Sequence, residues 1–235
     1  MEGRLVSDPL EELEKTAKLL PAAVAGVKLG DRAKQMLERF RDVSRQEHRL
    51  KASIELANLL EGSKDSQLKT QVEKALEAVD EAAEAMKEVD DEQSLADAVS
   101  EYQAFILALS TLEVVVRPLW KRTIDQQFAP LNSVGALLES FPNACDLGKR
   151  MVGAAASAQK HALTSLLELP AIVKDLIAQR SDLLKEQQEV AGDPKVSTFL
   201  QALADDRATL DLLHGEVLEW LDEQGALSSL KVSPV

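Results

Sequence analysis

The sequence predicts an all-α fold: an elongated helical bundle with a long antiparallel, coiled-coil-like hairpin at about 31–90 and further long helices at about 94–117, 145–169 and 170–191. Three observations carry this. Apolar residues recur at alternating steps of four and three through Leu68, Val72, Ala75, Val79, Ala82, Met86 and Val89, a 3.5-residue average held over three heptads. Prolines punctuate the chain between its periodic segments. The composition is 45% hydrophobic with only 10 Gly and 8 Pro in 235 residues, too few for many short strands and tight turns. With eight aromatic residues, the core must be mostly Leu, Ala and Val.

Each element has its own signal. Ser7-Asp8-Pro9 reads as an N-cap and first-turn proline, with Glu11 and Glu12 on the positive end of the helix dipole, and Pro21 is expected to end that helix near Leu20. Residues 22–30, with Gly26 and Gly30, read as a packed connector. Asp31 is a cap for a second helix to about Glu61, with seam positions Met36, Phe40, Val43, Leu50, Ile54 and Ala57 and with Glu47 intruding on the seam. Gly62-Ser63 breaks the run before the heptad helix, and the two arms read as a hairpin. Ser94 is expected to cap a fourth helix, apolar over much of its circumference and so placed at the centre of the bundle.

Pro118, Pro130 and Pro142 are expected to cut the next stretch into short helices. A helix from Cys145 to Leu169 follows, in which Gly153 and Ala154-Ala155-Ala156 would permit close helix approach. Pro170 starts another, to Ala191, with seam Val173, Leu176, Leu183 and Val190. Gly192-Asp193-Pro194 is a turn with its own cap, and the last helices are placed at about 195–204 and 206–223, ending at Gly225. The organisation expected is an N-terminal helix and connector (1–30), a helical hairpin (31–92), a helical bundle (93–225) and a tail (226–235).

The net charge is −13, from 40 acidic and 27 basic residues, which opposes nucleic-acid binding by the whole surface. A single cysteine, Cys145, excludes an intramolecular disulfide and a zinc–thiolate cluster, and fits a cytoplasmic setting. The first residues contain no apolar signal-peptide core, so none is expected. The most apolar stretch, 104–116, is shorter than the ~20 residues of a bilayer span and contains Glu113, so no transmembrane segment is expected, with reversible membrane contact kept as an alternative.

Charge is divided along the hairpin. Lys34, Arg41, Arg45 and Arg49 fall on one helical face, opposite the apolar seam, and Glu77, Asp80, Glu84 and Glu88 fall opposite the seam of the next helix. A solvated face is one reading of each stripe. The sharper reading is a contact surface, basic on one side and acidic on the other, for other proteins or for a second copy of this chain.

Catalytic patterns are missing from the sequence. His48, His161 and His214 have no His or carboxylate at i+3 or i+4 on the helix, and there is no HExxH, no phosphate-binding glycine loop and no marked triad. Cys145, near a helix start, reads as an inert, half-buried thiol. No cofactor and no metal are expected. The expected function is therefore a non-catalytic interaction or scaffolding protein, a subunit or adaptor of a cytosolic assembly that binds through charged helix faces. The alternatives are a membrane-active helical protein using 104–116 and a nucleic-acid-associated protein using the basic stripe. Ser233-Pro234-Val235 also fits a loose pattern for C-terminal peptide capture.

Overall fold

The computed structural model describes residues 7–24, 35–60, 66–205 and 207–227. Among these residues there is no strand, and the chain is an all-α helical bundle protein. It divides into two compact units, one of residues 1–119 with 165–170 and one of residues 120–164 with 171–235. The border falls inside one helix, between Leu119 and Trp120.

The first unit begins with α1 (Ser7–Val24), which runs through Pro21 rather than stopping before it. Pro21 is exposed and lies in the last turn, so it deletes one peripheral hydrogen bond and its ring points to water. The expected cap Asp31, Lys34, most of the 22–30 connector and the Gly62-Ser63 break lie outside the described residues.

The predicted long helix to Glu61 is interrupted. A 3₁₀ turn at Glu38–Phe40 and a non-helical Asp42 (φ −105°, ψ 11°) precede α2 (Val43–Leu59). Two side chains explain the interruption. Phe40 is buried and packs on Tyr102 with ring centroids 5.3 Å apart, and Asp42 accepts a hydrogen bond from the Tyr102 hydroxyl at 2.9 Å. Continuing the helix through 41–42 would rotate both off this anchor.

The heptad helix α3 (Ser66–Lys87) follows its prediction, with Leu68, Ala75, Val79, Ala82 and Met86 all buried. Its nearest neighbour is α1, whose Leu10, Leu13 and Leu20 are buried, whereas α2 and α3 approach each other only sparsely.

Next comes α4 (Glu92–Thr123), which starts two residues ahead of the expected cap. Asp91 is the cap. Its carboxylate accepts from the Ser94 backbone N–H at 2.7 Å, and the Ser94 hydroxyl accepts in return from the Asp90 and Asp91 backbone N–H groups, each at 3.0 Å. This is a reciprocal capping box. Leu95, Ala98, Tyr102, Phe105, Leu109, Leu112 and Val116 form a buried seam spaced three and four throughout. The opposite side is open, with Leu107 69% and Val114 71% exposed, so α4 is covered on one face and not all round as expected.

Pro118 does not cut this helix, contrary to expectation. It is exposed, and Val116 and Trp120 on either side are fully buried, which holds both flanking turns in place.

In the second unit the chain widens into a π turn at Ile124–Phe128 before α5 (Ala129–Glu139). Pro130 supplies the reason: it lacks the N–H that an α-helix would give to the carbonyl of residue 126, and its ring would crowd that carbonyl. The carbonyl of Gln127 is taken by the Arg180 Nε–H at 3.1 Å. Pro142 does end α5's segment as expected. Then α6 (Cys145–Lys160) stops nine residues before Leu169, where a 3₁₀ turn at His161–Leu163 leads into an extended Thr164 (ψ 152°). The buried Trp120 indole donates to the His161 carbonyl at 3.3 Å and fixes this exit.

The closest helix pair in this unit is α5 with α6. A Cβ on Gly148 would lie 2.6 Å from the Gly135 carbonyl oxygen and 2.5 Å from the Glu139 nitrogen. Gly153, by contrast, is exposed with nothing within 4 Å of a built Cβ, so the close approach rests on Gly148 and Gly135 and not on Gly153.

Next, α7 (Leu169–Ala191) ends at Gly192 (φ +67°). Asp193 then caps α8 (Pro194–Ala204) by accepting from the Lys195 N–H at 2.7 Å, as the Gly-Asp-Pro motif predicts. The final helix is shorter than expected: a 3₁₀ turn at Leu210–Leu212 precedes α9 (Gly215–Glu223). Gly225 (φ +67°) closes it in a Schellman motif, with Gly225 N–H on the Asp222 carbonyl and Ala226 N–H on the Leu221 carbonyl. Ala226 is fully buried and so belongs to the fold rather than to a tail; residues 228–235, with Ser233-Pro234-Val235, lie outside the described residues.

Candidate partner-binding faces

The four basic residues singled out from the sequence have different fates. Lys34 lies outside the described residues. Arg41 is exposed and pairs with Glu38 one turn back at 2.5 Å. Arg45 is exposed, and among the described residues it has no ion pair. Arg49 is turned inward. Its Nε donates to Glu113 Oε1 at 2.9 Å, its Nη2 to Glu113 Oε2 at 2.6 Å and its Nη1 to Gln46 Oε1 at 2.6 Å. Gln46, itself buried, donates to Asp42 Oδ2 at 2.6 Å, and Asp42 Oδ1 receives the Tyr102 hydroxyl. A continuous polar chain, Glu113–Arg49–Gln46–Asp42–Tyr102, therefore ties α2 to α4. Burial, and then the bond to Asp42, pushes the Tyr102 hydroxyl well above the usual phenol range.

Glu47, which the heptad spacing places on the seam, is 3% exposed. Lys51 donates to its Oε1 at 2.5 Å, and Oε2 has no partner among the described residues. An intruding carboxylate is thus tolerated by one lysine reaching in from the surface.

The acidic face of α3 is open. Glu77, Asp80, Glu84 and Glu88 are all exposed. Lys87 bridges Glu84 at 2.9 Å and Glu12 of α1 at 2.6 Å. These two carboxylates, Glu12 first, hold the Lys87 ammonium above its ordinary range. For Glu77, Asp80 and Glu88 no ion pair is present among the described residues. Like charges one turn apart, as in Asp80/Glu84 and Glu84/Glu88, each oppose the helix by a few tenths of a kcal/mol, ~0.2–0.5 before salt screening.

A pocket of about 220 Å³ lies beside Arg41, walled by Ala17, Pro21, Leu37 and Phe40 and rimmed by Lys18 and Arg41. At its edge, Lys18 and then Ser44 hold the Glu14 carboxyl below its usual range. Sequence reasoning missed this pocket because its walls come from two segments of the chain.

The chain matches no known family model, no curated protein and no solved structure.

The remaining chemical groups are engaged locally. His48 Nδ1 sits 2.5 Å from the Ser44 carbonyl, and His161 Nδ1 is 3.0 Å from the Thr164 hydroxyl. Cys145, the first residue of α6, is half-buried, and its bond to Lys149 raises that ammonium's pKa. Among the described residues no group of three His, Cys, Asp or Glu side chains converges as metal ligands. Trp120 is fully buried, so the basic pair Lys121 and Arg122 that follows it has no exposed ring beside it from Trp120.

Proposed function

We propose that this protein is a non-catalytic interaction or scaffolding protein of the cytosol, engaging a basic protein partner through the acidic face of α3. The observation that carries the reading is the open row Glu77, Asp80, Glu84 and Glu88, which has one lysine as its internal counter-charge among the described residues. A row of like charges weakens its own helix, and complementary potential from a basic surface would relieve that repulsion while accelerating encounter. Arg41 and Arg45, with the pocket beside Arg41, form the second contact region in this reading.

Nucleic acid is a weaker fit. Salt-steep phosphate binding needs several unengaged cations, and Arg49 is committed to Glu113 while Arg41 pairs with Glu38.

The test is affinity capture from the source cells with the wild-type chain and with Glu77→Lys/Asp80→Lys/Glu88→Lys, at low and moderate salt. A basic protein retained by the wild type, released by salt and lost from a variant with unchanged circular dichroism is the expected result. Equal capture by both chains overturns the assignment.

A further inference from the structure

We propose that the open face of α4 is a self-association surface, on which a second copy of this chain packs its own α4 antiparallel. This face is distinct from the charged faces above, and the proposal does not depend on them.

Ser100, Ala104, Leu107, Thr111, Val114 and Pro118 are all exposed and are spaced at alternating steps of four and three along one side of α4. That is a second heptad seam, back to back with the buried one, and a seam of this spacing is the pattern by which helices pair. Leu107 and Val114 are the two most exposed large apolar side chains of the helix, at 69% and 71%. Charge is absent where the seam would close. From Gln103 to Val116 the single charged residue is Glu113, and Arg49 neutralises it from the side. The central hydroxyls are satisfied too: Thr111 Oγ1 donates to the Leu107 carbonyl at 2.9 Å and Ser110 Oγ to the Ile106 carbonyl at 2.8 Å, so the middle of the face needs no outside polar partner for them. Depletion of charge at the centre with charge at the rim is the compositional mark of an interface core.

The occupant follows from the ends of the stripe. The N-terminal end is acidic, with Asp97 exposed and Glu101 half-buried, and the C-terminal end carries the exposed Arg117. A parallel copy would set acid beside acid. An antiparallel copy sets the acidic end of each stripe beside the basic end of the other, the self-complementarity that a two-fold interface requires. In that register Ala104 faces Val114 of the second copy and Leu107 faces Thr111, and Ala108 and Ser110 near the two-fold axis are small enough for close approach. The seam from Ala104 to Pro118 is about 22 Å long at ~1.5 Å per residue, which places it at the small end of protein interfaces and makes the association reversible.

Sedimentation equilibrium of the full chain over a wide concentration range tests the association. The expected mass rises from 25.6 kDa toward twice that value, and Leu107→Glu/Val114→Glu holds it at the monomer with unchanged circular dichroism. Register is tested by disulfide trapping with Cys145→Ser as background. Ala104→Cys and Val114→Cys variants should each form no intermolecular disulfide under oxidation, because identical positions would lie about 15 Å apart, and should cross-link when mixed. A wild-type chain that stays monomeric throughout, a dimer indifferent to Leu107→Glu/Val114→Glu, or cross-linking of Ala104→Cys with itself each overturns the proposal. So does binding of monomeric chain to phosphatidylglycerol vesicles that is abolished by Leu107→Glu/Val114→Glu, which would assign the face to lipid.

Discussion

Arg49 grips Glu113 with two parallel hydrogen bonds across the gap between α2 and α4, 64 residues apart in the chain. The pair is roughly four-fifths shielded from water, at 26% and 17% side-chain exposure. Fork-to-carboxylate geometry is the strong form of an ion pair, and cutting one member strands the other beside Gln46. Arg49→Gln is expected to lower stability by about 1–3 kcal/mol, below the range for fully buried pairs because some screening remains. Arg45→Gln is expected to stay within ~0.5 kcal/mol. Urea denaturation of both variants, with an Arg49→Gln/Glu113→Gln cycle, separates the pair's coupling from the cost of a stranded charge.

Alkaline pH should destabilise the first unit through Tyr102. Its folded pKa lies above the unfolded value of about 10, so the unfolded chain loses its phenolic proton first. The contribution is intact below pH ~10 and falls as pH rises beyond it, by at most about 1.4 kcal/mol per pH unit. Tyr102→Phe should flatten this part of the pH profile while lowering stability at neutral pH. As the sole tyrosine in the chain, Tyr102 can be followed by phenolate absorbance. Ionisation of the folded protein near pH 10 would contradict the burial and the bond to Asp42.

The capping box of α4 carries the opposite sign. The Ser94 backbone N–H, and then its hydroxyl, hold the Asp91 carboxyl below its usual range. This group therefore stabilises the fold above about pH 4 and ceases to do so as pH falls through its lowered folded value. Asp91→Ala should lower the melting temperature more at pH 7 than at pH 3. An equal drop at both would mean that the cap acts without its charge.

Two glycines of α6 should respond in opposite directions. Gly148→Ala drives a methyl into the backbone of α5, where nothing flexible can yield, and is expected to cost about 3 kcal/mol, the upper part of the overpacking range. Gly153→Ala meets empty space in an exposed helical turn and should stabilise by about 0.5–1 kcal/mol. Thermal melts of the two single variants decide the matter.

Where local chemistry sets an element, its residues announced it. Pro170 and Gly192-Asp193-Pro194 bracket α7, and the four-three spacing of Leu68 to Met86 set α3's buried face. The misreadings share a cause: each depends on a residue far away in sequence. Asp42 interrupts a helical pattern because Tyr102 holds its carboxylate, and α6 ends without glycine or proline where Trp120 holds the His161 carbonyl. By residue type Pro118 and Pro21 predict helix breaks, but a proline on a solvent-facing turn costs a helix less than one facing the core. For the basic stripe, helical geometry put Arg49 opposite its own helix's seam. It could not reveal that α4 brings Glu113 to meet it. The acidic face was easier to place, since Glu77, Asp80, Glu84 and Glu88 stay exposed, as a helix wheel alone suggests.

The placement of the aromatic rings gives each unit a separate optical reporter. Both tryptophans, Trp120 and Trp220, are buried in the second unit, and the lone tyrosine is buried in the first. Indole emission during denaturation follows one unit, and the tyrosine absorption band follows the other, with no label introduced. Whether the two halves of the chain melt as one cooperative body or in succession can thus be learned from a single unmodified sample.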